Sequence, residues 1–224
     1  MKKDYNKGGS NTAMSECPDE SERLTRCGID AAQMGEYDSA ENFFREAVEL
    51  NPTNSDAHWR LGACLGLRDR HVDAESSFRR AVKIDDTSVN NLRLGYCLLE
   101  QQRSEDAEKI LRRAVRLDRR HFTAYLCLGS LFLDTERLQS AISMFKTALI
   151  IEPDSEDAKK YLDSAIQLKK MTTSSPPSAA TEKIHDALET DLAAGDAKAR
   201  DFVQSMRAEL NMARECIGRH LFVD

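Results

Sequence analysis

Aromatic side chains make up only 6% of this chain, and its 224 residues include just ten glycines and five prolines. Such scarcity excludes collagen-like and low-complexity architectures, and the balance left is that of a helical, water-soluble protein. Positive charge is not in excess: the formal net charge is -6 and the pI about 5.5. Nucleic-acid binding needs a surplus of Lys and Arg to neutralise phosphates, so no nucleic-acid partner is expected. No run of 18 apolar residues occurs, so membrane insertion is not expected either. Met1 to Glu16 is polar, without the apolar stretch of a secretory signal. No glycine follows Met1, and Leu221-Phe222-Val223-Asp224 is not a prenylation box.

Catalytic signatures are missing as well. His58, His71, His121, His185 and His220 are isolated from one another, and no phosphate-cradling glycine loop is present. Cys17, Cys27, Cys64, Cys97, Cys127 and Cys216 form no Cys-x-x-Cys pair and no zinc-like spacing. The expectation is therefore no enzyme, no cofactor and no metal. The cysteines, about one per helical hairpin, read as buried reduced thiols of a cytoplasmic protein.

What the chain does have is self-similarity. Leu61-Gly62, Leu94-Gly95 and Leu128-Gly129 recur, Cys27-Gly28 matches them, and the glycines stand 34, 33 and 34 residues apart. Twelve residues after each glycine comes Ala40, Ala74, Ala107 or Ala141. Four further on stands Phe44, Phe78, Leu111 or Phe145, and three beyond that Ala47, Ala81, Ala114 or Ala148. Pro52 and Pro153 close two of the units. Glycine within a helix costs about 1 kcal/mol of propensity, so its recurrence requires close approach of a neighbouring helix. The phenylalanines are expected to fill the space between hairpins. One hairpin cannot bury its apolar face alone, and stacking does so.

These residues resemble the tetratricopeptide repeat (TPR) family, over about residues 21–155. The fold class expected is all-α: a TPR superhelix of four helical hairpins plus a capping helix, followed by a C-terminal amphipathic helical pair. Residues 1–17 are expected to be a disordered N-terminal arm and 18–170 the TPR domain. Its repeats are about 21–54, 55–87, 88–121 and 122–155, with a capping helix over 155–170. Residues 171–179 read as a polar linker and 180–224 as a C-terminal helical tail.

The resemblance implies that the first helices line a concave surface. Its ligand-facing offsets fall on Thr25, Ile29, Ala32 and Gln33 in unit one, and on Asp56, Trp59, Ala63 and Leu67 in unit two. They fall on Val89, Leu92, Tyr96 and Leu99 in unit three, and on Thr123, Leu126, Ser130 and Leu133 in unit four. Arg60 and Arg93 are the basic candidates nearby. Thr25, Ile29 and Val89 replace the polar residues with which chaperone-binding members grip a terminal carboxylate. The predicted ligand is instead a helical or extended apolar segment of another protein or peptide. The bland alternative is that these side chains only pack between neighbouring first helices.

In the tail, Val203, Met206, Leu210, Ala213 and Ile217 recur at spacings of three and four, with Phe202 beside them. That stripe predicts an amphipathic helix over 197–220. It could fold back into the groove of its own chain, pair with a copy of itself so that groove and helix self-associate, or dock on another protein. Arg79-Arg80, Arg112-Arg113, Arg116 and Arg119-Arg120 recur one repeat apart, as a ridge for an acidic partner or as a solvated face. The function expected is a non-catalytic scaffold or adaptor. The alternatives are a chaperone shielding an apolar segment of an exported or membrane-associated client, and a non-catalytic regulatory subunit.

Overall fold

The computed structural model describes residues 19–173. The arm 1–17, the rest of the linker and the tail 180–224, with Phe202, Val203, Met206, Leu210, Ala213 and Ile217, lie outside the described residues. Within them the chain is all-helical, a run of antiparallel hairpins. The first pairs α1 (Glu20–Gln33) with α2 (Tyr37–Leu50), and the second α3 (Ser55–Leu67) with α4 (His71–Ile84). The third pairs α5 (Ser88–Glu100) with α6 (Ser104–Leu117), and the fourth α7 (Phe122–Asp134) with α8 (Leu138–Ile151). Helix α9 (Glu156–Thr173) lies against α8. It runs three residues into the stretch assigned to the linker, because neither Pro nor Gly interrupts the chain before Pro176.

The repeat pattern maps onto contacts. A Cβ on Gly28 would stand 2.5 Å from the Phe44 ring, and one on Gly95 2.6 Å from Leu111. The glycines thus let the two helices of one hairpin close, and the large residue of the second helix fills that contact. The phenylalanines thus meet the glycine of their own hairpin as well as the unit that follows, where Phe44 shares a lining with α3 and Phe145 lies against Tyr161 of α9. Phe44, Phe78, Leu111 and Phe145 are all buried, as are Ala40, Ala74, Ala107 and Ala141. Ser155 caps α9 by accepting from the Ala158 N–H at 3.3 Å, with Glu156 and Asp157 in its first turn. Tyr161 then lays its ring 5.6 Å from that of Phe145, covering the end of the core.

Two further periodic devices tie the stack. Ser21, Ser55 and Ser88 donate to the carbonyls of Ala47, Ala81 and Ala114, at 2.8, 3.4 and 2.9 Å, joining the start of each of the first three hairpins to its end. Glu41, Glu75 and Glu108 each reach the turn of the following hairpin. Glu41 takes Arg68 at 2.6 Å and Arg70 at 2.9 Å, Glu75 takes Arg103 at 2.8 Å, and Glu108 takes Arg137 at 2.5 Å. Arg45, Arg79 and Arg112 add an i,i+4 partner to each carboxylate. Two members of the arginine ridge are therefore engaged in this ladder, and Arg113 pairs with Asp86.

Candidate protein-binding groove

Helices α1, α3, α5 and α7 adjoin one another in order and carry every groove residue singled out from the sequence. The structure divides those residues into two groups. Leu92 is fully buried, and Trp59, Ala63, Tyr96, Leu99, Leu126 and Leu133 are buried too. Along α5 and α7 most of the apolar offsets are consumed by packing, and Val89 at the start of α5 is the exception at 40% exposure, so the long open apolar face expected from the sequence is interrupted there. These side chains belong to one continuous apolar core that runs through α3, α5 and α7. At the start of the stack the face stays open. There α1 presents short side chains, and Leu67 remains 42% exposed and Tyr37 38%.

The opening is a cleft of about 300 Å³. Ile29, Ala32 and Gln33 of α1 form one wall, and Arg60, Ala63, Cys64 and Leu67 of α3 the other. Tyr37 and Phe44 of α2 complete the lining. The volume lies at the lower end of the range for ligand pockets, and a mostly apolar lining with few polar groups is their usual composition. Cys64 is no nucleophile. Its Sγ donates to the Tyr37 carbonyl at 3.3 Å, and burial together with the Glu41 charge pushes the thiol up to about 11. Cys97 repeats the arrangement on the His71 carbonyl, also at 3.3 Å. Cys127 is a buried thiol like these two, whereas Cys27 is exposed, against the expectation of burial.

Beside the cleft, Trp59 is packed between two cations. The Arg60 guanidinium lies 4.2 Å and that of Arg93 3.6 Å from the ring centroid. Asp56 fixes the group by accepting from Trp59 Nε1 at 2.7 Å and from Arg60 Nε at 3.0 Å. Arg93 donates to Asn90 Oδ1 at 3.3 Å. Burial, reinforced by the like charge of Arg60 and opposed by Asp56, pushes Arg93 down to about 10, which leaves it charged at neutral pH. The indole is thus buried between these two charges rather than offered as an exposed hydrophobic handle. Further along, His121 is kept below the usual imidazole range by burial, and its Nε2 has no hydrogen-bond partner.

Among the described residues no group of three or more His, Cys, Asp and Glu could hold a metal ion, and no helix is long and apolar enough to cross a membrane. Sequence inspection missed the serine ties and the Glu–Arg ladder. Their signal was available: Glu41, Glu75 and Glu108 recur at 34 and 33 residues, as Arg70, Arg103 and Arg137 do at 33 and 34.

Antiparallel hairpins that stack and bury their apolar faces against one another define a helical-repeat protein. Residues 27–89 and 92–158 match the tetratricopeptide repeat family profile, which is more than half of the chain. The chain belongs to the tetratricopeptide repeat family. Over 77 residues it is 32% identical to a protein O-mannosyl-transferase of Caenorhabditis elegans. That match takes in 34% of this chain and spans only 11% of the transferase. Among solved structures, MamA superposes with a TM-score of 0.60 at 22% identity, covering 64% of this chain and 84% of its own. PilF of Pseudomonas aeruginosa gives 0.62 at 19% identity, over 90% and 88%. YrrB, described as a TPR protein with an unusual peptide-binding site, gives 0.56 at 20%, over 66% and 76%. At these identities the likeness shows the fold.

Proposed function

We propose that this protein is a non-catalytic scaffold or adaptor that receives an apolar segment of another polypeptide in the cleft between α1 and α3. The observation that carries this reading is the cleft itself. It is about 300 Å³ in volume, lined mainly by apolar groups, and open to solvent beside Leu67 and Tyr37. An incoming Leu, Met or Phe side chain would replace water against Ile29, Ala63 and Leu67, at about 25 cal/mol per Å² of apolar surface covered. Arg60 at the rim would orient the segment through a carbonyl or carboxylate. The peptide-binding description of the structural neighbour YrrB agrees with a ligand of this kind. A cytoplasmic place of action belongs to the same proposal, supported by the reduced state of the buried Cys64, Cys97 and Cys127.

Panning a random peptide display library against the full chain tests it. The recovered peptides should be enriched in apolar residues, and Ile29→Glu or Leu67→Glu should weaken them about tenfold or more, equivalent to about 1.4 kcal/mol. Peptides that bind both variants as well as the parent would place the binding surface elsewhere.

A further inference from the structure

The cleft lies in the part of the stack with an unusual charge. Residues 20–50, the first hairpin, carry eight acidic against three basic side chains. The second and third hairpins, 55–84 and 88–117, each carry four acidic against six basic, and the fourth, 122–151, is balanced at two against two. A partner for the cleft should therefore combine an apolar stripe with basic flanks. Residues 197–220 of this chain have that composition. Their stripe is Val203, Met206, Leu210, Ala213 and Ile217, and they carry five basic against three acidic side chains. On a helix, Arg207 and Arg214 would border the stripe on one side and Glu209 on the other.

We propose that residues 197–220 of the same chain occupy the α1–α3 cleft, with Met206 and Leu210, one turn apart, entering it. This rests on the cleft being the binding surface proposed above. In that arrangement Arg207 and Arg214 face the acidic first hairpin, where Asp30 stands one turn before Gln33, and Glu209 faces Arg60. Covalent reach permits it. Residues 174–202 link α9 to the stripe, and extended they span roughly 95 Å, or roughly 70 Å with 180–193 helical. The path from α9 back to α3 crosses six helix-to-helix steps of about 8–10 Å, roughly 60 Å at most. Tethering supplies the segment at a high local concentration, so it competes with any external ligand without needing high affinity.

Two measurements on the full chain test the assignment. With a photoreactive benzoylphenylalanine in place of Leu67, cross-links should join the cleft to 197–220 within one chain. Met206→Glu combined with Leu210→Glu should reduce them at least about fivefold, while the repeat helices keep their circular dichroism and cooperative unfolding and the Tm falls slightly with the lost docking. Separately, a labelled synthetic peptide of residues 197–220 should bind that double variant about tenfold more tightly than the parent, whose cleft is filled, and Ile29→Glu should abolish the gain. Cross-links between isotopically distinct chains would overturn the intrachain assignment in favour of a second copy. Equal peptide affinity for parent and variant would overturn occupancy by this segment. If display-selected peptides still require Leu67 while the tail neither cross-links nor competes, the tail assignment fails and the cleft stands. If those peptides ignore Leu67 as well, the cleft itself fails.

Discussion

Single glycines set how closely each hairpin closes, and they are not equivalent. At Gly28 an added methyl would meet the stiff Phe44 ring at 2.5 Å, whereas at Gly62 the nearest Phe78 atom is 3.0 Å away. Overpacking costs about 1–3 kcal/mol, and Gly→Ala returns about 1 kcal/mol of helix propensity. Gly28→Ala should therefore lower stability by about 1–2 kcal/mol, and Gly62→Ala should stay within about 1 kcal/mol of the parent. Urea denaturation followed by circular dichroism will rank them. The pairing behind this ranking was legible in the sequence, since Gly28 and Phe44 recur together. The closure of the groove was not. Leu99 and Leu67 stand four and five residues after the repeat glycines Gly95 and Gly62 and have the same chemistry, yet Leu99 is buried while Leu67 stays open. One position is about 100° of turn on a helix, and Leu67 is moreover the last residue of α3, at the open end of the seam.

At the level of elements, every hairpin turns through one residue in the left-handed region: Gly35, Asp69, Gln102 and Glu136, with φ of 79°, 59°, 58° and 57°. Only the first of them is glycine. An L residue there costs about 1–2 kcal/mol, less for Asp, whose short polar side chain tolerates the region. Gln102→Gly and Glu136→Gly should each raise stability by roughly 1 kcal/mol, after the added freedom of the unfolded chain is discounted. Asp69→Gly should gain less. Thermal melting of the three variants checks the order. These turns were invisible to motif reading because Gln and Glu announce helix, and only the position of the next helix start forces the left-handed step. Helix starts differ between units as well. Asn54 and Thr87 accept from the N–H groups of Ala57 and Asn90 at 3.0 and 3.3 Å, whereas His121 at the same point of unit four has no side-chain cap bond.

Across the whole molecule, acid should unfold the stack in two stages. Burial holds His58 and His121 below the usual 6.5. Burial pushes Glu41 and Glu75 up, but hydrogen bonds from Arg45 and Arg70, and from Arg79, Gln101 and Arg103, outweigh it and bring both below 4.5. The Arg137 hydrogen bond does the same for Glu108. A group depressed in the folded state contributes its full stability above its unfolded value and loses it as pH falls through the folded one. Stability should thus be level above about pH 6.5, decline first as the histidines charge, and decline again below about 4.5 as the carboxylates protonate. His121→Asn should shrink the first decline and, by restoring a cap, add about 1 kcal/mol at neutral pH. Denaturant titrations at a series of pH values measure both. A first decline that persists in full would assign it to His58. The Glu–Arg ladder has one more consequence. In the fourth unit its place is taken by Ile142, which is buried next to the capping end. Three joints of the column are therefore ionic and the last is greasy. Added salt loosens the former and leaves the latter untouched, so ionic strength decides from which end the column comes apart.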